Sequence, residues 1–80
     1  MKTIILNHPS AKALDRLSED ARRQITEALV IYATTGTGDT KAMTGTPTVR
    51  LRSGDYRVIF DEAPETITVL ALGHRREIYR

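Results

Sequence analysis

Two stretches of alternating polar and apolar residues, Thr48 to Arg52 and Asp55 to Asp61, flank the dipeptide Ser53-Gly54, and no other feature limits the fold so tightly. Alternation at period two marks a strand with one buried and one exposed face. A glycine-containing pair between two such runs predicts a tight β-hairpin. With Ser53-Gly54 as the turn, Arg52 is expected opposite Asp55, Leu51 opposite Tyr56, Arg50 opposite Arg57, and Val49 opposite Val58. Val49, Leu51, Tyr56, Val58 and Phe60 then share a core-facing side, while Arg50, Arg52, Asp55, Arg57 and Ile59 share the other. In this register Asp55 neutralises Arg52, whereas Arg50 and Arg57 meet as like charges. Such a pair disfavours a sheet unless an anion lies between its members. Splaying into screened solvent is the simpler alternative. The anion site is preferred because an arginine cluster on a regular sheet face has no packing role.

The remaining elements arrange themselves around this hairpin. Lys2 to Leu6 is a short β-prone run. Pro9 suits the first turn of a helix capped by Asn7 or His8, with Ala13, Leu14 and Leu17 turned inward. Ser18 is a second N-cap, with Glu19 and Asp20 complementing the helix dipole. Ala21, Ile25, Ala28, Leu29 and Tyr32 then recur at helical spacing until Thr34-Thr35-Gly36 ends the run. Two helices joined at Leu17-Ser18 predict a helical hairpin. Residues 34–46 show no periodicity and are expected to be a loop. After a turn at Glu62-Ala63-Pro64-Glu65, Thr66 to Leu72 reads as a strand that is apolar on both faces. The expected fold is α+β, in the order β-α-α-β-β-β, with the helical hairpin on one face of a small antiparallel-rich sheet spanning one domain, residues 1–80.

Composition matters where it separates the two halves. Residues 1–40 hold five cations and five anions, whereas residues 41–80 hold seven cations and five anions, and six of those seven are arginine. Arginine offers the planar fork that binds phosphate in a bidentate manner. With 80 residues the core is thin, so exposed apolar strips are expected to need a partner. The chain has no cysteine, which excludes disulfides and thiolate metal sites, and no apolar run long enough for a membrane span. A reducing cytoplasm is the natural setting.

The segment Gly73-His74-Arg75-Arg76-Glu77-Ile78-Tyr79-Arg80 is expected to follow the last strand at the sheet's rim. If extended, it sends Arg75, Glu77 and Tyr79 one way and His74, Arg76, Ile78 and Arg80 the other. It would bring arginines, an imidazole and a phenol to the arginine face.

The run Lys41-x-Met43-x-Gly45-x-Pro47, the stretch Leu51-Arg52-Ser53-Gly54-Asp55-Tyr56-Arg57-Val58-Ile59-Phe60 and the ending Gly73-His74-Arg75-Arg76-Glu77-Ile78-Tyr79 together resemble the RelE side of the RelE/ParE toxin superfamily. The resemblance covers essentially the whole chain. It implies a type II toxin that cuts mRNA in the ribosomal A site and is neutralised by a cognate antitoxin in a hetero-oligomer. It implies no metal or other cofactor and no membrane. The implied reaction is attack of the RNA 2′-hydroxyl on the adjacent phosphate, leaving a 2′,3′-cyclic phosphate and a 5′-hydroxyl. By resemblance, Arg57 holds the phosphate in the transition state, Arg75 stabilises charge or donates a proton, and Tyr79 orients the nucleotide or exchanges the proton. His74 stands where relatives often carry a lysine or another basic residue and could share the acid–base role. Lys41 and Arg76 are implied backbone clamps, and Arg50 and Arg52 add phosphate contacts. One departure stands out. Where the best-known relatives alternate two basic residues before the hairpin turn, this chain has Thr48 and Arg50. A tyrosine with its ordinary pKa near ~10 is a poor base unless neighbouring cations lower it, and Arg57 and Arg75 would be those cations. A ParE-like gyrase inhibitor and a catalytically weakened, antitoxin-binding co-regulator remain open.

Overall fold

The computed structural model describes residues 1–78 and runs β1 (Thr3–Leu6), α1 (His8–Arg16), α2 (Glu19–Thr35), β2 (Asp39–Ala42), β3 (Thr48–Ser53), β4 (Tyr56–Glu62), β5 (Thr66–His74) and α3 (Arg75–Ile78). The strands form one five-stranded sheet in the order β1-β5-β4-β3-β2, antiparallel throughout except for the parallel pair β1–β5. The expected α+β fold and its helical hairpin are therefore present, with two additions. Part of the expected 34–46 loop is the edge strand β2, and the C-terminal segment turns into the short helix α3 instead of staying extended.

Local chemistry fixes the helix ends. Asn7 Oδ1 accepts from the Ser10 N–H at 2.9 Å, and Pro9 occupies the first turn of α1, where its missing N–H is harmless. Ser18 Oγ accepts from the Ala21 N–H at 3.2 Å, so only Leu17 and Ser18 separate the two helices. Gly36 closes α2 at φ 75° with its N–H on the Tyr32 carbonyl, a left-handed cap that glycine takes without a Cβ penalty.

Both helices bury their apolar stripe against the same side of the sheet. Ile25, Val58, Phe60, Ile67 and Val69 are fully buried, joined by Leu29, Ala33, Val49, Leu51 and Leu72, with Ala13, Leu14 and Leu17 packed alongside. Each fully buried large side chain contributes roughly 1.5–3 kcal/mol of transfer free energy.

Two polar ties close the sheet's ends. Lys2 Nζ lies 2.6 Å from Glu62 Oε2, and the Tyr32 hydroxyl donates to Glu62 Oε1 at 2.8 Å, joining the N-terminus, α2 and β4. The second tie concerns a bulge. The β4–β5 register skips Leu70, passing from Ile59 opposite Ala71 to Phe60 opposite Val69. Asn7 Nδ2 donates to the Leu70 carbonyl at 3.1 Å, within this irregular stretch.

The Lys2 hydrogen bond is the main cause holding the Glu62 carboxyl below its ordinary range, against the opposing effect of burial. Burial first, and then the hydrogen bond to Glu62 and its charge, push the Tyr32 hydroxyl up to about 12. Glu62 therefore stabilises the fold at neutral pH and loses that contribution as pH falls through its lowered pKa. Tyr32 contributes below its ordinary pKa and loses its share as pH rises through the raised value. Glu62→Gln should cost about 1–3 kcal/mol in urea unfolding at neutral pH, and the gap to wild type should close in acid as the wild-type carboxyl protonates. A gap that persists in acid would show that the carboxylate charge is not what holds this end together.

Candidate functional site

The hairpin turn lies one residue later than expected, which moves every cross-strand partner by two positions. Ser53 pairs with Tyr56, Arg52 with Arg57, Leu51 with Val58, Arg50 with Ile59 and Val49 with Phe60, so the turn is Gly54-Asp55, not Ser53-Gly54. Gly54 has φ 60°, the conformation that a first turn position of the II′ type requires. The shift moves both strands by one position in opposite senses, so the two faces keep their expected members while the partners change. Asp55 does not neutralise Arg52, and Arg50 does not oppose Arg57. The like-charged pair is instead Arg52 and Arg57.

Three acceptors draw this pair apart. Arg57 Nη1 donates to the Gly54 and Tyr56 carbonyls, each at 3.0 Å. Arg52 Nε lies 3.9 Å from Asp39 Oδ2 on β2, its neighbour across the ladder. One ladder row therefore reads Asp39, Arg52, Arg57, Gly73, and the next reads Lys41, Arg50, Ile59, Ala71. The side away from the helices carries these rows. Asp39, Thr40, Lys41, Arg50, Arg52 and Arg57 line a shallow groove of about 290 Å³ there. Four cations and one carboxylate in one groove give it a net positive charge.

The C-terminal residues divide. Arg75 begins α3, with its N–H on the Asp55 carbonyl at 2.8 Å and its Nε 3.9 Å from Asp55 Oδ1, so it stands beside the turn that anchors Arg57. Arg76 is exposed, and its N–H donates to His74 Nδ1 at 3.2 Å. His74 itself does not join the groove. It lies opposite Tyr56, with the two rings edge-on at 5.7 Å and 83°, on the side facing the helices. The cause is the bulge at Leu70. Strict alternation from Ile67 and Val69 would put residue 74 on the arginine side, and one extra residue reverses the parity. Tyr79 lies outside the described residues.

Thr48 faces the groove side in the row beyond Arg50, and its Oγ1 donates to Asp61 Oδ1 at 2.7 Å. The position where the family pattern has a cation thus holds a neutral donor satisfied by a carboxylate. Asp39 was not expected in the site. The stretch Asp39-Thr40-Lys41-Ala42 has no apolar alternation, and all four residues are exposed, so edge pairing to β3 left no hydrophobic mark. Only Lys41, through the family pattern, hinted at it.

No family model matches the chain, and no curated protein matches it in sequence. Solved structures do match. A chain of the archaeal RelE–RelB complex from Pyrococcus horikoshii superposes with a TM-score of 0.75 at 25% identity, covering 92% of this chain and 94% of that one. A chain of the RelB–RelE antitoxin–toxin complex from Methanococcus jannaschii gives 0.75 at 21% identity over 94% of each chain. The isolated E. coli RelE toxin gives 0.70 at 19% identity, covering 92% of this chain and 84% of that one. The chain has the RelE-like fold that its sequence led us to expect.

Gly54→Ala tests how the turn supports the site. A Cβ there would sit 2.6 Å from Gln24 Nε2, the group that donates to the Ser53 carbonyl at 3.0 Å, on a backbone at positive φ. The variant should lose about 1–2 kcal/mol of stability, read by urea unfolding. Unchanged stability would mean that the turn relaxes without strain.

Proposed function

We propose that this chain is the toxin of a type II toxin–antitoxin pair and acts as a ribosome-dependent mRNA endonuclease. One observation carries the reading: Lys41, Arg50, Arg52 and Arg57 share a groove on the uncovered face of a RelE-like sheet. Guanidinium groups held on regular strands are suited to a phosphate whose charge increases as the 2′-oxygen attacks. Arg57 is the strongest candidate for that contact. Its backbone is fixed in the middle strand of the sheet, and its guanidinium is already turned toward the Gly54-Asp55 turn beside Arg75.

In the proposed reaction the 2′-oxygen forms a bond to phosphorus while the bond from phosphorus to the 5′-oxygen breaks. A base accepts the 2′-hydroxyl proton, and an acid returns one to the leaving oxygen. Arg57 and Arg75 stabilise the phosphorane, and Lys41, Arg50, Arg52 and Arg76 hold the flanking backbone. Tyr79 is assigned the orientation of the nucleotide or the proton exchange. His74, packed on Tyr56 and bonded to the start of α3, is assigned the positioning of Arg75 and Arg76.

The partner is proposed to be an acidic antitoxin segment that folds over the arginine face and over apolar side chains left in solvent. Ile31 is 51% exposed and Ile5 46%, values that leave room for such a cover. The RelB–RelE neighbours are antitoxin–toxin complexes, which supports this partner class. No described helix is long and apolar enough to cross a membrane, and the cytoplasm, where ribosomes lie, is the proposed compartment.

Inducible expression of the wild type and Arg57→Ala in bacteria, with primer extension on a reporter mRNA, tests the function. Wild type should arrest growth and cut within translated codons, and Arg57→Ala should reduce cutting by about 10²–10³-fold, as expected for loss of a transition-state charge contact. Arrest without cuts would redirect the proposal toward gyrase. Soluble wild-type protein that neither arrests growth nor cuts would mark a weakened toxin, with the Thr48–Asp61 pair as its cause.

A further inference from the structure

The carboxylate of Asp39 is out of place in a groove proposed to bind phosphate. It lies on β2 directly across from Arg52, 3.9 Å from that guanidinium, and it lines the same groove as Lys41, Arg50 and Arg57. Among the described residues, its side chain caps no helix and ties no turn. Both partners are largely exposed, at 71% for Asp39 and 60% for Arg52. At 3.9 Å the contact is a loose charge pair beyond hydrogen-bond range, whereas a phosphate oxygen approaches a guanidinium to about 2.7–2.9 Å.

From these observations we infer that Asp39 is a resident competitor in the groove, a carboxylate that occupies Arg52 in the free protein, must yield it to an RNA phosphate and so limits the affinity for RNA. The inference rests on the proposed RNA-binding role of the groove. Its physical content is competition. An RNA segment that gains only the Arg52 contact exchanges one anion for another and gains little. A segment that also reaches Arg57 and Arg50 displaces the carboxylate at a net gain. Asp39 thereby lowers the affinity of every RNA that takes Arg52 by the same factor, and a strand aligned along the groove still binds because Arg57 and Arg50 add to the contact. Asp55, which stands in the same relation to Arg75, is a poorer test because its residue also forms the hairpin turn and its carbonyl accepts the Arg75 N–H.

Fluorescence anisotropy with a short labelled single-stranded RNA, without ribosomes, provides the test, using wild type, Asp39→Asn and Arg57→Ala. Asp39→Asn should bind about two- to fivefold tighter, the worth of an exposed ion pair at ordinary ionic strength. Its log–log salt dependence should steepen by up to about 0.7, the increment for one further phosphate contact to a single strand. Arg57→Ala should bind more weakly. Unchanged or weaker binding by Asp39→Asn, with Arg57→Ala still weakened, would overturn the role of Asp39 while leaving the RNA face intact. If Arg57→Ala also bound as wild type does, the reading of the face itself would fail. Urea unfolding of each variant, with Asp39→Ser as a second substitution, separates a binding change from a loss of fold.

Discussion

Burying Val49, Leu51, Val58 and Phe60 under α2 commits Arg50, Arg52 and Arg57 to the opposite side of the sheet, because successive strand residues point to opposite faces. A slip by one residue in either strand would carry guanidinium groups into the core and valines into water. The cost of an unpaired buried charge, several kcal/mol, closes off that alternative. Hydrophobic core and cationic groove are thus two consequences of one constraint. The described helices α1 and α2 cover the core side, and the arginine side is the one proposed to meet RNA.

What the pleat cannot settle is where the end residues point, and polar contacts decide that. At one end Lys2, Glu62 and Tyr32 join the start of β1, the end of β4 and the last turns of α2. At the other, the Leu70 bulge reverses the parity of β5. Leu72 therefore enters the core, and His74 meets Tyr56. The bulge is supported by Asn7, whose side chain caps α1 through Oδ1 and reaches the Leu70 carbonyl through Nδ2. One asparagine therefore links the helix start to the strand irregularity that sets the side on which the imidazole lies. An Asn7→Ala change would remove both bonds at once.

This explains which parts of the molecule could be read from the chain. Elements with a period were legible: the α2 stripe from Ala21 to Tyr32, the caps Asn7, Ser18 and Gly36, and the two faces of the hairpin. The hairpin register was not, because Ser53-Gly54 and Gly54-Asp55 are both acceptable turn pairs and both keep Val49, Leu51, Val58 and Phe60 on one side. The difference lies only in which arginine faces Arg57, and alternation is blind to that. The edge strand β2 was missed because its four residues bury nothing. The placement of His74 was missed because the bulge at Leu70 leaves no mark in the local alternation, and the Asn7 bond to it comes from sixty-three residues away. The charged groove was legible as a composition of one face, but Asp39 entered it through pairing that no local pattern announces.

The distribution of charge over the groove side bears on how RNA would meet it. The row Thr48, Asp61, Thr68 carries no cation, the row Lys41, Arg50, Ile59, Ala71 carries two, and the row Asp39, Arg52, Arg57, Gly73 carries two cations with one carboxylate. Arg75 and Arg76 follow beyond β5, beside the hairpin turn. Positive potential therefore concentrates toward the turn and falls off toward Asp61. A surface of this kind suits one or two phosphates held firmly near the turn better than a long track along a strand. Affinity for free RNA grows with the number of phosphates neutralised, so under the proposed function a short track at a net charge of +2 would make the chain a modest binder by itself. Such a groove gains most when another surface presents the strand already aligned. That requirement fits the proposed action on RNA held by a ribosome.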